Sequence, residues 1–259
     1  MKARPSLIDV RLVSHSFTTD HEPVWALDTI DLSIKQGEFV SILGPSGCGK
    51  STLVRIIAGL LPHQTGDVVV DGGSANAARE SKTFALVPQQ PALLPWRTVS
   101  ANARLLLDIN SKGPSQDSRI DDLLDEVGLR EFANALPHQL SGGMLQRVAL
   151  VRAFAMQAPV LLLDEPFASL DELTRADMRD LLVRLWERHQ STAVFVTHSI
   201  SEAVLLSDRV VVMSGRPGKI IAIAMIDLPR PRRAAMEDSD EFTSTVKQLR
   251  TLLRGTAPS

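Results

Sequence analysis

The 259-residue sequence has a single cysteine, Cys48, which excludes an internal disulfide and leaves the redox compartment open. Its formal net charge is only -2, so there is no global electrostatic case for binding nucleic acid. No apolar run approaches the ~20 residues that span a bilayer. The longest one near the end, KIIAIAMIDLP, is about half that length. The opening MKARPSLIDVRLV mixes polar and charged groups and lacks the unbroken apolar core of a secretory leader. There is also no internal repeat, heptad series or low-complexity tract. These absences point to a soluble cytosolic chain, or to one that sits on a membrane through a partner.

What is present is ample core material. Hydrophobic residues make up 44% of a length that suits one large domain or two intimate subdomains. Short β-branched runs alternate with helical patterns. EFVSILG (38–44) reads as a buried strand, and KSTLVRIIAGLL follows as a helix with Leu53, Ile56, Ile57 and Leu60 on one face. GDVVVDG and FALVPQ read as short strands, and SRIDDLLDEVGL as an amphipathic helix ending near Gly128. PVLLLDEP and TAVFVTH are continuously apolar, as strands covered on both faces are. RVVVMSG and KIIAIAMI read as a later strand pair joined by the turn-rich SGRPG. The alternation predicts an α/β core with a largely parallel sheet. From Pro91 to Pro159 the strand signal vanishes, which predicts a mostly helical insert. The tail LPRPRRAAMEDSDE is expected to wrap the surface before a last helix near FTSTVKQLRTLLR.

Two glycine-rich stretches carry chemistry. GPSGCGKST (44–52) fits G-x-x-x-x-G-K-[ST] through Gly44, Gly49, Lys50 and Ser51, with a strand before it and a helix after. Its glycines let backbone N–H groups turn toward phosphates, Lys50 supplies charge, and the Ser51 hydroxyl suits Mg²⁺. Cys48 reads as a small residue tolerated in the loop; a helix N-terminus lowers a thiol's pKa, so reactivity is the alternative, although no catalytic role needs it. The second stretch, LSGGMLQR (140–147), also looks like a phosphate-binding helix start, yet it has no lysine. In VLLLDEP, Asp164 ends a buried strand where a carboxylate can hold a Mg²⁺-bound water. Glu165 follows directly and suits a general base. His198 ends another strand, where open α/β sheets bind ligands, and is expected to meet the γ-phosphate and orient the water. Gln89 is a candidate for Mg²⁺ or that water, with Gln90 as its rival.

Taken in order, GPSGCGKST, VPQ, LSGGMLQR, LLLDEP, ASLD and TH resemble the ATP-binding subunit of ABC transporters over nearly the whole chain. The resemblance implies a P-loop NTPase core with an N-terminal antiparallel β-subdomain and an inserted α-helical subdomain at about 91–158. It implies an ATPase domain over 1–235, followed by a tail, 236–259, with a short helix. Phe17 matches the aromatic that stacks on adenine, though it suits a core position equally. Ser46, Gly47, Cys48, Gly49, Lys50, Ser51 and Thr52 match the loop around ATP and Mg²⁺. Gln89 matches the glutamine that senses Mg²⁺ and the membrane partner, although Pro88 stands before it where importers usually have Phe. Ser141, Gly142 and Gly143 match the signature motif, Asp164 and Glu165 the metal-side acid and the base, Asp171 the loop linking two active sites, and His198 the switch histidine. In this family two copies share each ATP, so the lysine-free stretch closes over a nucleotide held by another chain. The resemblance also implies separate permease subunits, an external solute-binding protein, no nucleic acid, and a peripheral place on the cytoplasmic face of the membrane. A permease helix would dock near PALLPWRTV, with Trp96 bordering the groove. SGRPGKI followed by LPRPR most resembles the nitrate/sulfonate/taurine importer group. Sulfonate or taurine ranks first as solute, then nitrate, then a pyrimidine-like or other small organic solute. The alternatives are a soluble ABC-type ATPase or an exporter subunit.

Overall fold

The computed structural model describes residues 5–18, 22–110 and 117–254. The first residues of the opening stretch (1–4) and the end of the tail (255–259) lie outside the described residues. Two sheets organise the chain. The first is antiparallel, in the order β2-β1-β4-β5, from β1 (Ser6–Phe17), β2 (Val24–Lys35), β4 (Thr65–Val70) and β5 (Gly73–Ser74). The second has the order β10-β9-β3-β8-β7-β6, from β3 (Phe39–Leu43), β6 (Phe84–Val87), β7 (Val160–Asp164), β8 (Thr192–Thr197), β9 (Arg209–Met213) and β10 (Ile220–Met225). Its pairs are parallel except for β10 on β9.

The central strands are apolar throughout because both of their faces are covered. Phe39, Leu161, Leu163, Ala193 and Phe195 point to one side, and Val40, Ile42, Val160, Leu162, Val194 and Val196 to the other. On the second side α1 (Lys50–Ile57) is wedged between the two sheets, its Leu53, Ile56 and Ile57 fully buried against Ile8, Leu27 and Ile30. On the first side pack α3 (Val99–Ile109), α4 (Asp117–Glu126), α5 (Gly142–Ala155) and α6 (Glu172–His189). Between β6 and β7 every described α, 3-10 or β element is helical. A third cluster joins Leu43 and β9 to α7 (Ile200–Leu206) and the last helix α8 (Asp240–Arg254). The short α2 (Ala75–Glu80) covers the antiparallel sheet beside β4 and β5.

Most of the tail from 229 to 241 stays at the surface as expected, but Arg232 turns inward from it. Arg232 is 2% exposed. Its guanidinium donates to the Val204, Ser207, Ile226 and Leu228 carbonyls, so it pins the strap to α7. Burial pushes its pKa down to about 10, still high enough to stay charged at neutral pH. Arg230 lies over the Trp186 ring at 4.4 Å and pairs with Asp208 at 2.8 Å. Charge composition signals solvent. Here carbonyl oxygens freed at a helix end and a strand end draw the charge inward.

Candidate functional site

Parallel register collects the motifs at one sheet edge. Leu43 pairs with Thr197 and Val212, Asp164 with Val196, and Val87 with Leu163. The chain therefore leaves the carboxyl ends of these strands at Gly44, Glu165, His198 and Gln89 on the same side, where open α/β sheets bind ligands.

The loop before α1 is shaped by Gly49, the N-cap of the helix, at φ 100°. A Cβ there would lie 2.6 Å from the Ala26 carbonyl, so only glycine fits. Lys50 is 4% exposed and its Nζ donates to the Gly44 and Pro45 carbonyls, each at 3.0 Å. The same ammonium is 3.5 Å from Glu165 Oε1. The Ser51 hydroxyl donates to Asp164 Oδ1 at 2.6 Å. Burial pushes the Asp164 carboxyl up in pKa, and the Ser51 hydrogen bond works against that. Glu165 stands at φ 46°, a left-handed conformation that costs a non-glycine residue about 1–3 kcal/mol. Its Oε2 lies 3.2 Å from His198 Nδ1. Lys50, Glu165 and His198 thus form one connected chain of groups, with Ser51 and Asp164 beside it.

Phe17 is 42% exposed and shares a cleft with Val24, Gly47, Lys50, Thr52 and Glu165. It meets His15 edge-on at 4.7 Å, so it is a rim residue and no part of the core. Ser46 is exposed at the crown of the loop. Cys48 is the small packed residue the loop tolerates and not the reactive thiol that its place before a helix allows. It is 1% exposed, and a Cβ on Gly44 would sit 2.9 Å from its Sγ. Burial pushes the thiol pKa up, against the charge of Lys50 and the nearby backbone N–H groups that favour the thiolate. Only its backbone faces the loop's business, and the thiol is inert packing.

Gln89 is exposed, as is Gln90, and neither shares the cleft of Lys50. Asp171 caps α6 by accepting from Thr174 N at 3.0 Å, and its pKa is lowered first by Thr174. Ser141 caps α5 in the same way, accepting from Met144 N at 3.3 Å, and Ser141 and Gly142 are exposed. None of Ser141, Gly142, Gly143 and Asp171 lines the cleft that holds Lys50.

Two further groups at the site escape a reading of the sequence. Arg216, inside a stretch that reads as a turn, lines the cleft. Glu202 is 5% exposed, directly behind His198. Ser199-x-x-Glu202 carries the signature of a capping box. The Glu202 carboxylate instead accepts from Thr197 Oγ1 at 2.5 Å and lies 3.8 Å from Arg175 Nε. Arg175 also donates to the Leu170 carbonyl at 2.8 Å, which ties the ASLD loop to the turn that carries His198. Burial pushes the Glu202 carboxyl up in pKa.

A buried ammonium and a glycine-shaped helix start can receive a polyphosphate, and a carboxylate held beside them can take a proton from water. Fold and site define a P-loop ATPase of mixed α/β architecture. The model of the ABC transporter family matches residues 27–168. An aliphatic sulfonates import ATP-binding protein of Xanthomonas axonopodis is 47% identical over 208 residues, 80% of this chain and 82% of the relative. An uncharacterised ABC transporter ATP-binding protein of Methanocaldococcus jannaschii is 42% identical over 250 residues, 95% of this chain and 91% of the relative. A dimeric structure of the ATP-binding cassette MJ0796 in a post-hydrolysis state with ADP and Pi superposes with a TM-score of 0.75 at 33% identity, over 86% of this chain and all of that one. The chain belongs to the ABC transporter family, as a subunit that binds and hydrolyses ATP. Among the described residues no helix is long and apolar enough to cross a membrane.

Proposed function

We propose that this chain drives a bacterial ABC importer for small anionic solutes, aliphatic sulfonates or taurine first and nitrate second. The observation that carries this reading is the high identity to sulfonate-import ATPases over four fifths of both chains, joined to the intact Lys50–Glu165–His198 cluster. Lys50 neutralises charge at the β- and γ-phosphates. Glu165 takes the proton of the attacking water, and His198, 3.2 Å away, holds that carboxylate and the water in line. Phe17 stacks on adenine. Gly44, Ser46, Gly47, Cys48, Gly49 and Thr52 lend backbone or hydroxyl groups to the phosphates.

The Ser51 hydroxyl and the Asp164 carboxylate form a pair of hard oxygen donors, and the buried Asp164 charge is of the kind a cation offsets, so the site fits Mg²⁺. Ser51 and Asp164 would hold the ion, which would supply further charge neutralisation on the phosphates.

Two copies of the chain assemble face to face in this reading. The Ser141–Gly142–Gly143 start of α5, exposed at Ser141 and Gly142, closes over the partner's ATP, and Asp171 lies at the junction of the two sites. The open position of both segments and the dimeric state of the MJ0796 cassette support it. The dimer works at the cytoplasmic face of the membrane, under permease subunits fed by a solute-binding protein. Trp96 supports a docking surface, because it is 74% exposed on a stiff loop. The fully buried Asn102 holds that loop through Leu94 N and the Leu94, Arg97 and Thr98 carbonyls. Arg152 holds it through the Pro91 and Ala92 carbonyls.

The test is reconstitution with the membrane subunits and binding protein encoded beside this chain. Aliphatic sulfonate or taurine is expected to raise ATP hydrolysis several-fold and to accumulate in the vesicle. Stimulation by nitrate alone, or by neither anion, would overturn the solute assignment. Trp96→Asp is expected to fold normally, keep basal hydrolysis and lose stimulation. Full stimulation in that variant removes Trp96 from the docking surface.

A further inference from the structure

The loop between β9 and β10 rests on the phosphate loop. Gly218 anchors it: its N–H donates to the Ala26 carbonyl at 2.9 Å, and its own carbonyl accepts from Asp28 N at 3.0 Å. These bonds extend β2 through a parallel bridge between Leu27 and Gly218. A Cβ on Gly218 would lie 2.1 Å from the Cys48 carbonyl, so the contact with the phosphate loop requires glycine. Lys219 pairs with Asp28 at 2.8 Å, and Ser214 closes the loop from within, its Oγ donating to the Pro217 carbonyl and accepting from Lys219 N. The loop is held at both ends, and Arg216 at its tip reaches the phosphate loop. Nε and Nη2 donate to the Gly47 carbonyl at 3.3 and 3.2 Å. Arg216 lines the same cleft as Phe17, Lys50 and Glu165.

The state of this guanidinium sets it apart. Arg209, Arg230 and Arg233, its neighbours along the chain, pair with Glu38, Asp208 and Glu187. Arg216 is exposed, and among the described residues no carboxylate pairs with it. Two long bonds to one carbonyl leave most of its five N–H donors free. Lys50, by contrast, is buried and directs its ammonium to its own loop. A free, planar, permanently charged donor on the outer lip of a polyphosphate cleft matches phosphate oxygens two at a time.

We infer that Arg216 is a further nucleotide-binding residue that contacts the phosphate chain of ATP, a second cation beside Lys50. The inference rests on the reading of 44–52 as the phosphate loop. It is tested by measuring the binding of ATP, ADP and adenosine to the full chain by calorimetry and competition. Arg216→Ala is expected to weaken ATP and ADP about tenfold, the usual scale of a charge-assisted hydrogen bond, and to leave adenosine unchanged. Arg216→Lys is expected to recover part of that loss, because it restores charge without the planar fork. The melting temperature without nucleotide is expected to stay as in the parent, since the side chain is exposed and the loop is anchored by Gly218. Unchanged ATP binding in Arg216→Ala overturns the inference, and so does an equal loss for adenosine and ATP. Lys50→Ala separates the two layers. If it leaves ATP binding intact, the reading of the loop fails; if it abolishes binding while Arg216→Ala changes nothing, the inference about Arg216 alone fails.

Discussion

The chain starts two helices at glycine-rich turns, and their fates differ. At α1 the turn is roofed by the antiparallel sheet, Lys50 is buried, and Asp164, Glu165 and His198 gather round it. At α5 the turn stands open, Ser141 caps its own helix, and the next cation along the chain, Arg147, donates to the Val127 carbonyl. Both offer free N–H groups and the positive end of a helix dipole. What separates them is the surroundings. α1 emerges from the middle of a parallel sheet whose neighbours bring acids to it, whereas α5 emerges beside helices. The same backbone device is gathered among acids in one place and left open to solvent in the other.

The comparison breaks most sharply at Glu165. Glu165→Gln is expected to lower kcat by ~10²–10⁴-fold, because an amide cannot accept the water proton. ATP binding should persist, and the protein should accumulate as an ATP-bound dimer. Near-normal turnover would remove Glu165 from the role of base.

Next in size is complementation. Lys50→Ala disables the α1 turn, and Gly143→Asp disables the α5 turn, where even a Cβ would press on Thr174 Cγ2 at 2.7 Å. Each variant is expected to be inactive alone. Mixed in equal amounts, they should recover roughly a quarter of the parent rate, since half of randomly assorted dimers are mixed and each of those keeps one intact site. Absence of recovery, together with failure of cysteines at Ser46 and Leu145 to cross-link between chains in ATP, would make each turn a device of its own chain.

A smaller effect concerns the tie between His198 and the ASLD loop. The Glu202 carboxyl is raised in pKa by burial, so its contribution to folding is complete below the ordinary glutamate value and fades as pH rises through the raised one. Glu202→Gln keeps an acceptor for Thr197 and has no charge to desolvate. Its melting temperature should fall less than the parent's as pH rises above the ordinary glutamate value. Parallel profiles for the two proteins would show that Glu202 adds nothing to the pH dependence.

The smallest effect is chemical. Cys48 is expected to resist maleimide in the native protein, and a thiol placed by Ser141→Cys should label within minutes, because burial outweighs the helix dipole at the first site and is absent at the second. Equal labelling would make the two turns equally open.

Much of this was legible in the chain itself. β3, β7 and β8 announce themselves as unbroken apolar runs, since each is covered on both faces. β1 and β2 were harder to read. Their alternation slips at bulges, and Leu12 and Thr29 sit at positive φ, so period two is lost in mid-strand. The burial of Arg232 was not legible either, because nothing local records that carbonyls of α7 and the strap would converge on it.

The sequence by itself determined the motifs and their order. A phosphate loop, its helix and an acid-ended strand are each made by neighbouring residues whose conformations are local matters of glycine, capping and apolar run length. The tertiary structure alone decided what those motifs touch. Register between β3, β8 and β7 brings Lys50, Glu165 and His198 together from positions far apart in the chain. The packing of α1 between two sheets buries Cys48 and Lys50. The parallel bridge at Gly218 delivers Arg216 to the cleft. Such contacts follow from the registers that bury the most apolar surface while pairing every strand, a property of the whole chain that no short stretch contains.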